Sequence, residues 1–388
     1  MKKIELCDIE SCTQCQACKN ACPRQCITMV EAKDGFTLPL IDREICIECG
    51  ACMNACHKIT PKLEFQEPQQ TMACWTKLRS DRKNSSSGGA FSVIARKILQ
   101  DGGVVFGASM CEGLQVRHIA IECQEDLIKL QGSKYVQSDM SGTCLDVKRH
   151  LRTGRKVLFS GTPCQVAAIL TFLKSKPENL ITCDVVCHGV PSQQAFNAYI
   201  DRIGLKGRCS NFNFRFTEGW GFQLSRQLVA PTKDGASKKI LISPAKGYYL
   251  RAFTKGLMFS EACYSCPYAR PERISDFTLA DYWGLGTKEP FRHPTSEGVS
   301  CLLANNQKAI EFIERCPELE YEIRPLEEAI EGNHNLSYTS SRPKGRDTYY
   351  EDSISIPLND LCIKYGIAAS MRDYLRIIKQ KIIKYRTR

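Results

Sequence analysis

Cys12-Thr13-Gln14-Cys15-Gln16-Ala17-Cys18-Lys19-Asn20-Ala21-Cys22-Pro23 decides how this chain is read. Cys46-Ile47-Glu48-Cys49-Gly50-Ala51-Cys52-Met53-Asn54-Ala55-Cys56-His57 repeats it 34 residues later. Both copies carry the spacing C-x2-C-x2-C-x3-C. Thiolates are soft, charged, strongly donating ligands that suit iron. Three closely spaced cysteines wrap three corners of a [4Fe-4S] cube, and the fourth reaches across to the other cube. The spacing therefore assigns Cys12, Cys15, Cys18 and Cys56 to one cluster, and Cys46, Cys49, Cys52 and Cys22 to a second.

This is the pattern of a two-cluster, bacterial-type ferredoxin module. Asp34-Gly35 lies between two β-prone runs within Glu31–Ile41 and predicts a hairpin between the halves. Paired C-x2-C also binds zinc, but two four-cysteine runs favour clusters. One departure stands out: His57 follows Cys56 where Pro23 follows Cys22.

Outward from the module, composition narrows the class. The chain has 388 residues, with 43% hydrophobic and 24% charged. That is ordinary for a soluble protein of two or three domains. No stretch approaches the roughly 18 apolar residues that span a bilayer. Met1-Lys2-Lys3-Ile4-Glu5 precedes no apolar run, so no signal peptide is expected and the expected location is cytoplasmic. The 23 cysteines, odd in number, then read as metal ligands rather than a disulfide framework. A net charge of +11 favours anionic partners. Zinc-finger spacing and an aromatic RNA-binding strand are both lacking, so nucleic acid is not expected.

Lys62–Gln70 is polar, with Pro61 before it and Pro68 within it, and residues 61–80 read as a linker after a module of residues 1–60. Asn84-Ser85-Ser86-Ser87-Gly88-Gly89 then opens a helix from Ala90 to Leu99. Such a turn is either a cap or a seat for phosphate, because its amides and the helix dipole favour anions. No G-x-G-x-x-G fingerprint or P-loop occurs. Two strand–loop–helix units follow. Their loops are Gly161-Thr162-Pro163-Cys164-Gln165 and Cys187-His188-Gly189-Val190-Pro191-Ser192. Alternation of strand and helix predicts a parallel or mixed sheet with ligands at the carboxyl ends of its strands. Cys164 and Cys187 fall there. Cys263-x2-Cys266 completes four thiolates, enough for one further cluster. The pair alone also fits zinc or a redox dithiol, and Cys164 alone a low-pKa nucleophile. Cys7, Cys26, Cys74, Cys111, Cys123, Cys144, Cys183, Cys209, Cys301, Cys316 and Cys362 read as buried small residues.

Ser86–Gly89, Gly132-Ser133-Lys134-Tyr135-Val136-Gln137-Ser138, the two cysteine loops, Cys263-x2-Cys266 and Asp281-Tyr282-Trp283-Gly284 together resemble the coenzyme F-420 hydrogenase/dehydrogenase beta-subunit family. The resemblance covers about residues 70–345. It implies a bound FAD and a [4Fe-4S] cluster beside it on Cys164, Cys187, Cys263 and Cys266. It places the FAD against Ser86, Ser87, Gly88, Gly89, Ser133, Lys134, Tyr135, Gln137, Ser138 and Thr162.

The expected architecture is α+β: a small two-cluster ferredoxin domain followed by a larger mixed α/β flavin-binding domain at 81–345, with a basic helical extension at 346–388. The expected function is an iron–sulfur flavoprotein oxidoreductase. It would link a ferredoxin- or flavodoxin-type carrier to a small organic or sugar-linked substrate, with polysaccharide synthesis as one setting. An F-420-dependent oxidoreductase, an electron-transfer subunit for a partner enzyme and a non-catalytic sensor are the alternatives. His188 is the weak candidate for a proton donor. Lys246, Tyr249 and Arg251 are candidates to meet an anionic substrate. Met371, Tyr374, Leu375, Ile378, Ile382 and Tyr385 sit at helical spacing in a basic C-terminal segment. It reads as a terminal helix packed on the body, with membrane-surface contact as the lesser alternative.

Overall fold

The repeated cysteine loops produce a repeated backbone. Gln14 and Glu48, 34 residues apart, both adopt positive φ (51° and 53°), as do Gln16 and Gly50 (59° and 72°). Each loop feeds a short helix, Ala17–Ala21 or Ala51–Asn54. Glycine takes this left-handed conformation without strain, whereas glutamine does so at a cost. Gln16 is held there by two side-chain bonds: its amide donates to Asp139 (2.7 Å) and accepts from Ser141 (2.7 Å). The computed structural model describes residues 4–61, 63–215, 225–228 and 239–375.

The predicted hairpin is present: β1 (Ile27–Glu31) pairs antiparallel with β2 (Thr37–Ile41). Gly35 turns it at φ +74° and lies against Gln194. A Cβ at Gly35 would fall 2.3 Å from the Cβ of Gln194 and 2.9 Å from Ser192 Oγ. Gly35→Ala is therefore expected to lower stability by about 1–3 kcal/mol. It should also expose the hairpin to limited proteolysis ahead of the rest of the chain. An unchanged melt and cleavage pattern would contradict this packing.

The remaining strands are β3 (Gln70–Thr76), β4 (Val104–Met110), β5 (Val116–Ile121), β6 (Val157–Gly161), β7 (Leu180–Val185), β8 (Cys209–Asn213), β9 (Ser225–Leu228), β10 (Lys239–Leu241), β11 (Phe277–Asp281), β12 (Ser300–Ala304) and β13 (Leu319–Ile323). Eight form one mixed sheet in the order β13-β3-β12-β11-β7-β6-β4-β5, and β10-β9-β8 form a smaller antiparallel sheet. The pairs β4–β6, β6–β7 and β7–β11 are parallel, as the strand–helix alternation predicts.

Helices Ala90–Gln100 and Gln307–Glu314 bury their apolar positions in one core with the sheet. Thr143–Arg152 and Pro163–Leu173 do so in another, which also takes in Ala17 and Ala55 of the ferredoxin module. A third, aromatic core joins the helices Gln193–Arg202 and Tyr248–Thr254 to Phe36 of the hairpin. Among the described residues no helix is long and apolar enough to cross a membrane.

Two expected boundaries need correction. Residues 61–80 are not a linker throughout, because β3 lies inside the sheet, between β12 and β13. Even the extended stretch before it is tied down, since Gln66 and Arg273 exchange backbone bonds of 2.8 Å. Residues 346–364 are not a mere extension either. Helices Arg346–Ser355 and Leu358–Lys364 bury Tyr349, Tyr350 and Leu361 in the aromatic core. Arg346 bonds Asp34 across the module boundary at 2.7 Å. Residues 371–375 are helical, with Met371, Tyr374 and Leu375 exposed. Ile378, Ile382 and Tyr385 lie outside the described residues.

Candidate metal centres and cofactor cleft

Two hollows in the N-terminal module gather the eight repeated cysteines as their spacing assigns them. Cys22, Cys46, Cys49 and Cys52 line one, together with Ile41, Ile47 and Arg24. Cys12, Cys15, Cys18 and Cys56 line the other, with Thr13, His57 and Lys58. The crossing of Cys22 and Cys56 between halves is thus built into the backbone. Burial pushes Cys12 up to about 12 and Cys15 to about 11. Such thiols ionise readily only with positive charge among them, which iron supplies. Among the described residues no three Cys, His, Asp or Glu side chains converge tightly enough for a single metal ion.

Each hollow holds a fifth cysteine that the sequence pattern reads as a buried small residue. Cys26 Sγ lies 3.4 Å from Cys22 Sγ, and Cys7 Sγ lies 3.5 Å from Cys56 Sγ. The hydrogen bond with Cys7 holds the Cys56 thiol down to about 6. Positions 7 and 26 are not a repeat apart, so the 34-residue periodicity could not reveal them.

The third set of cysteines sits on the large sheet. Thr162 closes a capping box with Gln165 at the start of the helix Pro163–Leu173, and its hydroxyl lies 3.1 Å from Cys164 Sγ. Cys187 follows β7. Its loop is stitched to the Cys263 segment by the Pro191–Phe259 bridge and by Ser260 N donating to Val190 O. Cys164 and Cys187 therefore lie at the carboxyl ends of β6 and β7. Burial raises all four thiols, and repulsion from Cys266 adds to the rise at both Cys164 and Cys187, the latter reaching about 12. Arg273 anchors the arrangement: it bonds Asp184 (2.9 Å), three residues before Cys187, and the carbonyl of Tyr268 (2.9 Å), two residues after Cys266.

The same edge carries the Ser/Gly turn. Gly88 lies so close to the sheet that a Cβ would sit 2.2 Å from Cys74 O and 2.6 Å from Ser300 N. Ser86 Oγ accepts from Ser133 N (2.8 Å) and Ser133 Oγ (3.0 Å), so two segments far apart in sequence meet. Ser87 Oγ donates to Val299 O. Among the described residues, the amides of Ser86, Ser87, Gly88 and Gly89 donate to no backbone carbonyl. Four open amides ahead of an 11-residue helix suit a pyrophosphate. Tyr135 packs against Phe214 and Phe253, its hydroxyl accepting from Arg215, which also pairs with Asp281 at 2.6 Å.

Four expected flavin contacts are committed elsewhere. Lys134 Nζ donates to the carbonyls of Lys129, Leu130 and Gln131, and burial holds it down to about 7. Its three donors are occupied in closing the helix Leu127–Leu130, not free for a phosphate. Gln137 reaches Thr13 O. Thr162 serves the capping box. Ser138 lies in a buried chain: Gln165 donates to Ser138, which bonds His118, whose other nitrogen meets Ser160 O at 2.9 Å. His188 is likewise fixed, between Asn335 (2.8 Å) and Thr254 O (3.2 Å), with Phe253 and Phe259 against its ring. It reads as structural. Lys246, Tyr249 and Arg251 bond the carbonyls of Ile203, Tyr135 and Ile367, so they tie the fold together rather than face a substrate.

His118 gives a pH prediction. Burial holds its pKa down to about 4, against 6.5 in an open chain. Below 6.5 the unfolded chain binds a proton that the fold refuses, so stability declines as pH falls from 6.5 towards 4. Anaerobic melts at pH 7.5 and 5 should differ less for His118→Gln than for the parent. An equal difference would refute the assignment.

Two family models match the chain. Residues 154–329 match the model of the C terminus of the coenzyme F420 hydrogenase/dehydrogenase beta subunit, and residues 11–59 match the 4Fe-4S dicluster domain. A xenon-derivatised F420-reducing [NiFe] hydrogenase complex from Methanosarcina barkeri contains a similar chain. It is 15% identical, with 71% of this chain and 92% of that one covered and a TM-score of 0.46. No curated protein matches.

Proposed function

We propose, from the premise that residues 154–329 belong to the coenzyme F-420 hydrogenase/dehydrogenase beta-subunit family and residues 11–59 to the 4Fe-4S dicluster family, that this chain is an iron–sulfur flavoprotein oxidoreductase. It links a ferredoxin- or flavodoxin-type carrier to a small organic or sugar-linked substrate. The two memberships make it an iron–sulfur protein related to electron-transfer subunits. One observation supports the finer reading: the open amides of Ser86–Gly89 and the thiols of Cys164 and Cys187 share the carboxyl edge of one sheet.

In this reading Cys12, Cys15, Cys18 and Cys56 hold one cluster, Cys22, Cys46, Cys49 and Cys52 a second, and Cys164, Cys187, Cys263 and Cys266 a third. The Ser86–Gly89 turn and Ser133 receive the FAD pyrophosphate, and Tyr135 borders it. When bound, the clusters exchange single electrons and the flavin couples them to two-electron chemistry. The protein contributes position: Arg273 fixes two cysteine loops, and Gly88 lets the turn approach the sheet.

Anaerobic purification with iron and flavin assays tests this, followed by reduction with ferredoxin, NADH or F-420. About twelve irons and one FAD per chain are expected. Protein without flavin would overturn the flavoprotein reading. Family membership favours one alternative, an F-420-linked subunit serving a partner enzyme, and rapid bleaching by reduced F-420 would select it.

A further inference from the structure

His57 is the position where the repeat breaks, and the structure shows what the break does. Its ring is 3% exposed, deep between the module and the body. Nε2 lies 3.0 Å from Thr13 Oγ1, within the loop of Cys12 and Cys15. Nδ1 lies 2.6 Å from the hydroxyl of Tyr268, two residues after Cys266. Tyr268 is itself buried, with Phe65 stacked at a centroid distance of 6.2 Å. Cys15, Cys164 and Cys266 all pack against the core that contains Tyr268. Proline at position 57, as at Pro23, would offer no such bond.

The other hollow is oriented oppositely. The small core around Cys22, Cys46 and Cys52 also takes in Cys18 of the first seat, and among the described residues it contains none beyond Met53. Cys49 is exposed there, and Ile47 is 58% exposed beside it. One seat is thus pressed into the body and the other faces outward.

We infer that the module is mounted with a fixed polarity: the Cys22/Cys46/Cys49/Cys52 seat takes electrons from the carrier, and the Cys12/Cys15/Cys18/Cys56 seat passes them inward through Cys56-His57···Tyr268-x-Cys266. The inference rests on the proposed cluster at Cys164, Cys187, Cys263 and Cys266. Each transfer moves one electron: the inner seat's cluster is oxidised by one as the third is reduced by one, with reduced ferredoxin as the outside reductant. His57 and Tyr268 are positioning residues, supplying a hydrogen-bonded route between two ligand sets.

The test uses the full chain with all clusters present, mixed rapidly with reduced ferredoxin and freeze-quenched for electron paramagnetic resonance. Cys164→Ala identifies the third cluster's signal by its loss. Tyr268→Phe, which removes one hydroxyl, should keep the parent's iron content, with at most a small fall in melting temperature from the unpaired His57 nitrogen. It should nevertheless slow appearance of the third signal at least tenfold, with the first phase unchanged. His57→Gln should do the same. Ile47→Asp should slow the first phase and leave the inward step at the parent's rate. Parent-like inward rates in both Tyr268→Phe and His57→Gln, at full iron content, would overturn the route. A slow inward step in Ile47→Asp, with a normal first phase, would overturn the polarity. Eight irons in the parent protein would instead remove the third cluster, and the inference with it.

Discussion

Cys164→Ala should lower iron by about four atoms per chain, from about twelve to about eight, while the N-terminal clusters remain reducible. Turnover with any organic substrate should be lost. The reasoning is local. Cys164 stands at the start of an 11-residue helix, after Thr162 and beside Cys266 and Cys187. Alanine fits that helix position well, so the fold should survive and the loss should be chemical. The capping box involves Thr162 and Gln165 and remains intact. A variant with full iron would show that these four thiols hold no cluster. A variant that loses all its iron would show that the three seats assemble as one unit.

Arg273→Ala should cost about 3–5 kcal/mol, the usual penalty for stripping one partner from a buried ion pair. Arg273 is 2% exposed and Asp184 is fully buried. The guanidinium also bonds Thr278 and the carbonyls of Tyr268 and Arg270. Its loss leaves Asp184 charged in an apolar setting and frees two cysteine-bearing loops together. Thermal melts should fall by on the order of 10 °C. Pairing Arg273→Met with Asp184→Leu should recover part of the stability but not the ordered loops, so iron at the third seat should stay low. If the single and double variants melt alike, the pair is not what anchors the loops.

The cluster ligands are legible in the sequence because a cubane dictates spacing, and spacing is a one-dimensional quantity. The carboxyl-edge placement of Cys164 and Cys187 is legible for a related reason, since strand–helix alternation fixes which ends carry loops. The strand Gln70-Thr71-Met72-Ala73-Cys74-Trp75-Thr76 is not. It follows a polar stretch that holds Pro61 and Pro68, and its membership of the sheet depends on partners more than 220 residues away, at β12 and β13. The helix Arg346–Ser355 looks charged, yet Arg346 is buried because Asp34 neutralises it. Side-chain commitments escape for the same reason. Lys134 looks free for a phosphate in one dimension, and only the fold places three carbonyls around it.

The bond between Asp34 and Arg346 spans 312 residues of chain. Contacts of such long range close late, because loop entropy must be overcome before they contribute. At about 5–20 residues per second of synthesis, the N-terminal thiols emerge roughly 15–60 s before the arginine that docks their hairpin. For most of that interval the cysteine loops have neither Tyr268 nor Ser260 against them. The order of manufacture therefore runs opposite to the order of burial: the first part made is the last part sheltered, and the cell must guard those thiols from oxidants until the C-terminal helices arrive.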